Sequence, residues 1–288
     1  MHADLTAAER LPDAHRVTGP SAIAGDWRRF AFLTVTLALT DWKLRFYGSV
    51  LGYLWSLLRP LLLFGILYVV FSQVVRIGGE VEHYPVQLLL GVVLFVYFAE
   101  VTGDCVESVV DREQLVRKVA FPRMVVPLSV ALSCSFNLMV NLIAVALFVL
   151  LSGVEVMWTW LLVVVPLALL VVLATGVGML LSALYVPFRD VRPIWDVVSQ
   201  GLFYATPVFY PVELVLDVSQ EATRVVLANP LAAIIVEARH LVTGSSPSAA
   251  EAMGGAAWLA LPATILIGCT LLGFWVFNRI APRVAEDL

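Results

Sequence analysis

Residues 160–185 read WLLVVVPLALLVVLATGVGMLLSALY, a run of 26 positions without a charged side chain. A bilayer core about 30 Å thick is crossed by roughly 20 helical residues at about 1.5 Å each, so this run is long enough to span a membrane. Its apolar residues are continuous and do not alternate with polar ones, as the strands of a membrane barrel would require. The stretch therefore predicts a transmembrane helix, and it decides the class of fold.

Further segments of the same kind predict six membrane-spanning helices in total. Hydrophobic residues make up 60% of the 288 positions and charged residues 14%, whereas soluble domains carry about 45–50% and about 25%. The surplus apolar surface has to face lipid. The other spans are predicted at 52–75, 86–104, 124–151, 194–210 and 256–277, of which the segment 194–210 is short and contains Pro207. The predicted fold class is an all-α polytopic membrane protein.

The basic residues fall mostly on one side of this predicted topology. Of the 18 Lys and Arg residues, only Arg76, Arg224 and Arg239 lie on the other side. The positive-inside rule therefore places both termini in the cytosol of a multi-pass protein of the plasma (inner) membrane. A net charge of -4 excludes a general basic surface for nucleic acid.

The first residues are predicted to stay outside the bilayer. Residues 1–25 predict a disordered cytosolic tail, and 280–288 a second short tail. Residues 26–48 predict an amphipathic helix in the membrane interface, although Arg45 lies opposite its polar stripe. That helix is either a membrane anchor or a docking surface for a partner, and the pattern does not distinguish the two. The polar stripe consists of Arg29, Thr36, Thr40, Lys43 and Tyr47.

The loop between the second and third spans contains a short amphipathic pattern. Asp111 and Gln114 have the spacing of a capping box, and Pro122 ends the pattern. The apolar ridge fits either a surface helix resting on the bilayer or a coupling helix that seats in a groove of an ATPase. The residues of this candidate contact are Asp111, Arg112, Glu113, Gln114, Leu115, Val116 and Val119.

The segment after the fifth span is apolar although it is predicted to lie outside. The helical pattern 231–242 is too short to cross the membrane. Together with the Pro-interrupted fifth span, it resembles the broken helices that line transporter pathways, and it predicts re-entrant outer gate helices. The alternative is an extracellular cap lying on lipid.

Polar and aromatic side chains inside the spans each allow two interpretations. Glu100, Asp104 and Glu107 share one helical face and are either solvated or turned to a cavity. Asn137 and Asn141 either join helices or line a substrate path. The aromatic residues either form an interfacial belt or line a conduit and stack on sugar rings. The candidate channel or gate residues are Phe64, Tyr68, Phe203, Tyr204, Phe209, Tyr210, Asn229 and Pro230.

The chain carries no recognisable nucleotide site. It has no Gly-x4-Gly-Lys-[Ser/Thr] loop, and neither Lys43 nor Lys118 follows a glycine. Serine-hydrolase and zinc-protease motifs are missing too, so we expect no catalytic residue, no metal site and no cofactor bound by this chain. If ATP powers the protein, ATP and Mg must bind to a separate subunit.

Several blocks in this order resemble one family. Asp41-x-Lys43-x-Arg45, followed by Tyr47, Ser49, Leu51-Gly52, Trp55 and Pro60, resembles the first segment of type-2 ABC permeases that export polysaccharides and polyol phosphates. Phe188-Arg189-Asp190-Val191, then 206–211 (TPVFYP), then Asn229-Pro230-Leu231 with the helix up to Gly244, resemble the family's later elements. The resemblance covers about residues 41–279, and 49–279 would be the transmembrane domain.

The resemblance implies a homodimer with two cytosolic ATPase subunits and a wide channel between the two copies. It implies a glycan substrate linked to polyprenyl pyrophosphate or a similar lipid, with membrane lipids as further partners. It also implies that residues 111–121 form the coupling helix and that 211–244 gates the outer face.

On this basis the charged head of the carrier would be guided in from the cytosolic leaflet by Lys43, Arg45 and Arg59. Three alternatives remain open. The same architecture could export a small lipid or drug. A membrane-embedded enzyme could use Glu100, Asp104 and Glu107 as acid–base groups on lipid carriers. The chain could also be a structural membrane scaffold.

Overall fold

The computed structural model describes residues 27–45, 47, 52, 54–76, 81–112 and 122–280, and every regular element within them is a helix. Five helices are long and apolar enough to cross a membrane, or up to six if one sharply bent pair counts as a span. Because hydrocarbon supplies no hydrogen bonds, a chain this apolar satisfies its backbone within helices. The predicted all-α polytopic membrane fold is confirmed.

The helices are numbered in chain order. They are α1 (Trp27–Arg45), α2 (Leu54–Tyr68, continued by a π-helical turn Val69–Val74), α3 (Tyr84–Asp111), α4 (Val125–Leu151), α5 (Val164–Tyr185, preceded by a 3-10 turn Trp158–Val163), α6 (Val191–Ala205), α7 (Glu213–Val218), α8 (Gln220–Ala228), α9 (Pro230–Thr243), α10 (Ala249–Ala252) and α11 (Ala260–Ile280, preceded by a 3-10 turn Ala256–Leu259).

Helix α3 forms the centre of the bundle. In its most apolar window 78% of the residues are buried, against 6% in α2. It packs against α2, α4, α5, α6 and α9, whereas α11 packs on the far side of α5. The chain therefore consists of a well-packed centre and a loosely attached α2.

Small residues let α5 approach α3 closely. One face of α5 consists of small residues, of which Ala174 and Ser182 are fully buried and Gly178 lies against the Cys105 side chain. On its other side, Gly176 contacts α11, where a Cβ added at Gly273 would overlap the Gly176 carbonyl oxygen. Such close backbone contact is typical of helix packing in membranes. There is no hydrophobic driving force between helices in lipid, and small residues allow the close van der Waals packing that holds them together.

The predicted fifth span is shorter than the segment 194–210 expected for it. Its helix, α6, begins at Val191 and ends at Ala205, and 15 residues are too few to cross the hydrocarbon unaided. Thr206 is extended, with φ −95° and ψ 142°, because Pro207 disfavours the helical conformation of the residue before it. The chain then continues without a helix until α7.

The segment that the predicted topology places outside is bent sharply at Asn229, and inner and outer below follow that predicted topology. Helices α8 and α9 meet there at 108°, and the Asn229 side chain caps α9 by accepting a hydrogen bond from the Leu231 backbone N–H at 3.0 Å. Gly244 ends α9 in the left-handed region, with φ +66°. The predicted broken segment is therefore present as two short helices.

A capping box starts the short helix α10. Ser248 and Glu251 exchange hydrogen bonds between their side chains and backbone N–H groups. These hydrogen bonds from Ser248 lower the pKa of the exposed Glu251 carboxyl, because they favour its charged form.

Helix α1 packs along the inner half of α4. Phe30 lies in an apolar cluster with Met124, Val126 and Phe277, whereas Trp42 near the other end of α1 reaches Asn137 of α4. The prediction of a helix over 26–48 is close to the observed bounds. One side of this helix contacts protein, because it packs against α4.

We predict that Gly273→Ala loosens the packing of α11 on α5. The added Cβ would collide with the Gly176 carbonyl oxygen, and overpacking of this kind costs about 1–3 kcal/mol. The unfolding midpoint of the purified protein in detergent should fall. Gly268→Ala is the matched control, because a Cβ at that position of the same helix meets nothing within 4 Å. Equal midpoints for the two variants would contradict the close contact.

Candidate functional site

A cavity of about 610 Å³ lies between α2, α3 and α6. On α2, Arg59, Leu63 and Ile66 line it at the spacing of one helical face. Its walls combine both signs of charge with aromatic rings. The polar and aromatic lining residues are Arg59, Glu100, Asp104, Arg192, Asp196, Ser199, Phe95, Trp195 and Phe203. Charged side chains in a membrane bundle turn to polar cavities, because charge facing lipid is costly, and this cavity is therefore the candidate site for a polar molecule.

Polar contacts to α3 hold the first turn of α6 at the cavity. Arg192 donates a hydrogen bond to the Gly103 carbonyl oxygen at 2.9 Å. The Trp195 indole N–H donates to the Thr102 hydroxyl at 3.2 Å. These contacts fix one cation and one flat aromatic surface beside each other on the wall.

The acidic residues of α3 are joined to α1 and α4. Arg45 donates to the carboxylates of both Glu100 and Asp104. The Asn137 amide N–H donates to Glu100 at 2.8 Å, and its oxygen accepts from the Trp42 indole N–H at 2.9 Å. Glu100 and Asp104 thus line the cavity while they neutralise Arg45.

A second ion pair lies at the inner end of α3. Arg112 donates to the Asp41 carboxylate at 2.5 Å and to the Ser129 hydroxyl at 3.0 Å. Burial raises the pKa of the Asp41 carboxyl, and the attraction of Arg112 opposes that rise. Three helices, α1, α3 and α4, therefore meet through charged and polar side chains on the inner side.

The same carboxylates form a group of metal-type ligands with a thiol. Single ligand atoms of Glu100, Asp104 and Cys134 lie within 4.8 Å of one another. Arg45 already donates to both carboxylates, so a cation would have to displace it. The arrangement fits an arginine site better than a metal site.

Aromatic rings crowd the outer end of the cavity. Phe203 packs edge-on against Phe95, with ring centroids 5.0 Å apart, and Phe209 stacks on Phe71 at 4.7 Å. Tyr204 contacts both Phe203 and Phe209 while remaining 60% exposed. The rings form one connected cluster, of which Phe95 and Phe203 line the cavity.

A buried arginine holds the backbone that carries part of this cluster. Arg239 of α9 is 3% exposed. It donates to the carbonyl oxygens of Gln87 at 2.8 Å and Val208 at 2.6 Å, and at 3.3 Å to that of Tyr210. Only an arginine offers several N–H donors in one plane, so one side chain ties α9, α3 and the segment after α6 together.

Two further hydrogen bonds support the same segment. The Tyr84 hydroxyl donates to the Phe209 carbonyl oxygen at 2.7 Å. The Asn229 amide donates to the Thr206 hydroxyl at 3.1 Å. The extended backbone after α6 is therefore held by side chains of α3 and of the α8–α9 bend.

With this geometry in place, comparison with known proteins identifies the family. Residues 33–243 match the family model described as ABC-2 type transporter. The chain belongs to the ABC-2 type transporter family. An O-antigen export system permease protein RfbA of Klebsiella pneumoniae is 27% identical over 260 residues, which cover 89% of this chain and 95% of that protein.

Two other relatives of this ABC-2 transporter chain are similar over most of their length. An O-antigen export system permease protein RfbA of Myxococcus xanthus is 30% identical over 206 residues, covering 70% of this chain and 77% of the relative. The polysialic acid transport protein KpsM of Escherichia coli is 23% identical over 244 residues, covering 82% and 90%.

The predicted site residues of the transporter chain separate into groups. Arg59 lines the cavity, Lys43 is exposed on α1, and Arg45 is paired with Glu100 and Asp104. Of the predicted aromatics, Phe203, Tyr204, Phe209 and Tyr210 share the outer cluster. Phe64 stacks on Tyr68 and packs edge-on against Phe148 of α4.

The predicted coupling segment lies mostly beyond the described part of the chain. The segment 113–121, with Glu113, Gln114, Leu115, Val116 and Val119, is outside the described residues. Asp111 and Arg112 were expected to open a new helix, but Asp111 is the last residue of α3 and Arg112 caps its end. The reason is that α3 continues to position 111, well past the predicted end at 104.

Two important residues were missed because the sequence shows them only as loop charges. Arg192 follows the fourth span and Arg239 lies in the outer segment. Both arginines are important because the fold brings main-chain carbonyl oxygens within hydrogen-bonding distance of their side chains. These contacts have no local sequence pattern. The one available signal was that Arg239 interrupts an apolar outer helix.

We predict that Arg239→Gln destabilises this transporter chain strongly. A glutamine cannot reach all three carbonyl oxygens, and a buried acceptor without a partner costs about 1–3 kcal/mol. The expected result is a loss of several kcal/mol, measured as a lowered unfolding midpoint in detergent.

Arg224→Gln is the control for this experiment. Arg224 has one hydrogen bond, to the Met253 carbonyl oxygen at 3.0 Å, and a cation–π contact with Trp258 at 4.2 Å. Its loss should be smaller, about 1–2 kcal/mol. Equal destabilisation in the two variants would argue against the role given to Arg239.

Proposed function

We propose that this chain is the membrane-spanning permease subunit of an ATP-driven exporter that moves polysaccharide outward across the plasma membrane. The observation that carries the proposal is the family membership, joined to near full-length similarity with a protein named as an O-antigen export permease. The bundle adds a cavity that combines cations with aromatic rings. Polysaccharide on a lipid carrier fits such a lining, since it combines an anionic head with sugar rings.

ATP enters the proposal through a partner. The chain has no phosphate-binding loop, and relatives of this kind are named as permeases. We propose two copies of a cytosolic ATPase that bind ATP and Mg, contacted through residues 111–121. Both termini of the permease would then lie in the cytosol, in keeping with its basic loops.

A second copy of the chain would complete the pathway. Helix α6 has no buried residue, although Ile194 and Val197 are large and apolar. Helix α2, on the opposite wall of the cavity, is also largely uncovered. We propose that these two helices face their counterparts in a homodimer, so that two half-cavities form one channel.

The proposed path of the substrate follows the charges and rings. The phosphate groups of the carrier meet Arg59 and Arg192 at the inner part of the cavity. Sugar rings then pass Trp195 and Phe95, whose flat faces suit the apolar C–H faces of sugars. The outer aromatic cluster, held by Arg239, has to separate before the glycan leaves.

The alternative of a membrane enzyme is less favoured by the contacts. It would use Glu100 and Asp104 as acid and base, but both carboxylates are engaged by Arg45. Glu107 accepts a hydrogen bond from the Tyr185 hydroxyl at 3.3 Å. The arrangement binds helices together and leaves these groups poorly placed for proton transfer to a substrate.

The proposed function predicts that deletion of the gene removes a surface polysaccharide. The glycan should accumulate inside the cell, and a plasmid with the wild-type gene should restore it to the surface. Extraction of surface and intracellular glycan measures both pools. Unchanged surface glycan in the deletion strain would sink the proposed function.

The proposed ATPase partner is tested with the tagged chain, purified from its host. An ATPase should co-purify with the wild-type chain and be lost with Leu115→Asp, because a charge on the apolar ridge would disrupt the contact. Val86→Asp is unsuitable as a control, since Val86 is fully buried. The control is Glu155→Lys. This residue lies on the opposite side of the predicted topology, so the variant should leave the ATPase bound.

The cavity cations give a further prediction. Arg59→Glu and Arg192→Glu should each lower export by about tenfold or more, because a carboxylate repels the phosphate groups. Arg59→Lys should keep most of the export. The measurement is surface glycan in the deletion strain, at matched protein levels in the membrane. Export that does not respond to either charge reversal would remove these two residues from the path.

A further inference from the structure

Two ion pairs of opposite polarity join one face of α1 to α3. Asp41 and Arg45 are four residues apart, so they lie on the same face of α1. Asp41 pairs with Arg112, and Arg45 pairs with Asp104 and Glu100. If α1 were reversed end for end, like charges would meet. The two pairs therefore fix both the direction and the register of α1 against α3.

Contacts with α4 complete the attachment of α1. Trp42, between the two charged residues, donates to Asn137 of α4, which in turn donates to Glu100. Towards the start of α1, Phe30 is buried in the inner apolar cluster. Helix α1 is thus held near both ends by the inner parts of α3 and α4.

Helix α2 is held much less firmly. Only 6% of its most apolar window is buried, and Pro60 is its one fully buried residue. It begins nine positions after Arg45 in the sequence, and its Arg59, Leu63 and Ile66 form a wall of the cavity. Its contacts are with α3 and α4, and Leu63, Phe64 and Leu67 pack against the core.

We propose that Asp41 and Arg45 are positioning residues for transport, because they make α1 move as one body with the inner ends of α3 and α4, where the Arg45 partners Glu100 and Asp104 form part of the cavity wall. Movement at the inner end of α3 would then change the width of the cavity. The transport part of this inference rests on the proposed function, whereas the joint movement of α1 and α3 does not.

Charge explains why the link transmits movement. Apolar side chains tolerate sliding of one helix along another, since most apolar contacts can be exchanged. Sliding α1 along α3 would separate Asp41 from Arg112, and leaving one charge alone is costly where burial is partial. Two such pairs on one helical face therefore resist both rotation and translation of α1.

The first test measures the joint movement without any transport. Spin labels are placed at Leu44→Cys on α1 and Leu147→Cys on α4, both of which are exposed, in protein reconstituted into lipid nanodiscs. The wild-type background should give one narrow distance distribution. Asp41→Arg and Arg112→Asp should each broaden it, and the double variant Asp41→Arg/Arg112→Asp should narrow it again, because the pair re-forms with exchanged charges.

Controls separate this effect from misfolding and from a general effect of charge. Arg29→Asp changes the charge of an exposed position on the same helix and should leave the distribution narrow. Asp41→Asn, a nearly isosteric change, should broaden it even if a reversal variant fails to fold. Narrow distributions in Asp41→Asn and in both single reversals, or no recovery in the folded double variant, would overturn the proposal.

The second test measures transport in the deletion strain. Each single reversal should lower surface glycan by about tenfold, the size of coupling usual for residues that share an ion pair. The double reversal should recover most of it, and Arg29→Asp should match the wild type. Single reversals that broaden the distances yet export normally would show that α1 does not position the cavity wall.

The two tests fail in distinguishable ways. A wild-type gene that does not restore surface glycan to the deletion strain would count against the proposed function. The distances between labels in nanodiscs would still decide whether the ion pairs hold α1 in place against α4 of the bundle, because that measurement needs neither substrate nor ATP.

Discussion

The absence of water in the hydrocarbon core constrains every part of this molecule. A backbone group without a partner there costs several kcal/mol, so the chain crosses as helices whose hydrogen bonds are internal. Where helices end or bend inside the bundle, side chains have to supply the missing contacts. Arg239 and Tyr84 do so for the extended residues after α6, with donors directed at three successive carbonyl oxygens from Val208 to Tyr210.

The same constraint explains the placement of charge. A charged side chain in the spans needs an opposite charge or a polar cavity, and Glu100 and Asp104 have both, because they pair with Arg45 and line the space beside Arg59 and Arg192. The network therefore serves two purposes at once. It attaches α1 to the bundle, and it gives the cavity a lining that an anionic molecule can enter.

Sequence alone predicted the features that depend on local pattern. Continuous apolar runs gave the spans, and the pattern 231–242 after Asn229-Pro230 predicted the short helix α9. The short α6 was signalled by Pro207, although its end at Ala205 required the conformation of Thr206. The hydrogen-bond partners of single arginines, such as the carbonyl oxygens around Arg239, could not be predicted. These partners are far from the arginine in the sequence, and contacts of that kind leave no sequence pattern.

The amphipathic pattern of α1 shows how a misfit can be informative. A helix that simply rests on a membrane needs one polar stripe, and Arg45 lies opposite the stripe that contains Lys43. In the structure Lys43 is exposed, whereas Arg45 and Asp41 turn to carboxylate and guanidinium partners on α3. A helix with charges on two faces has two neighbours to satisfy. The second charged face of α1 is therefore explained by its ion pairs with α3.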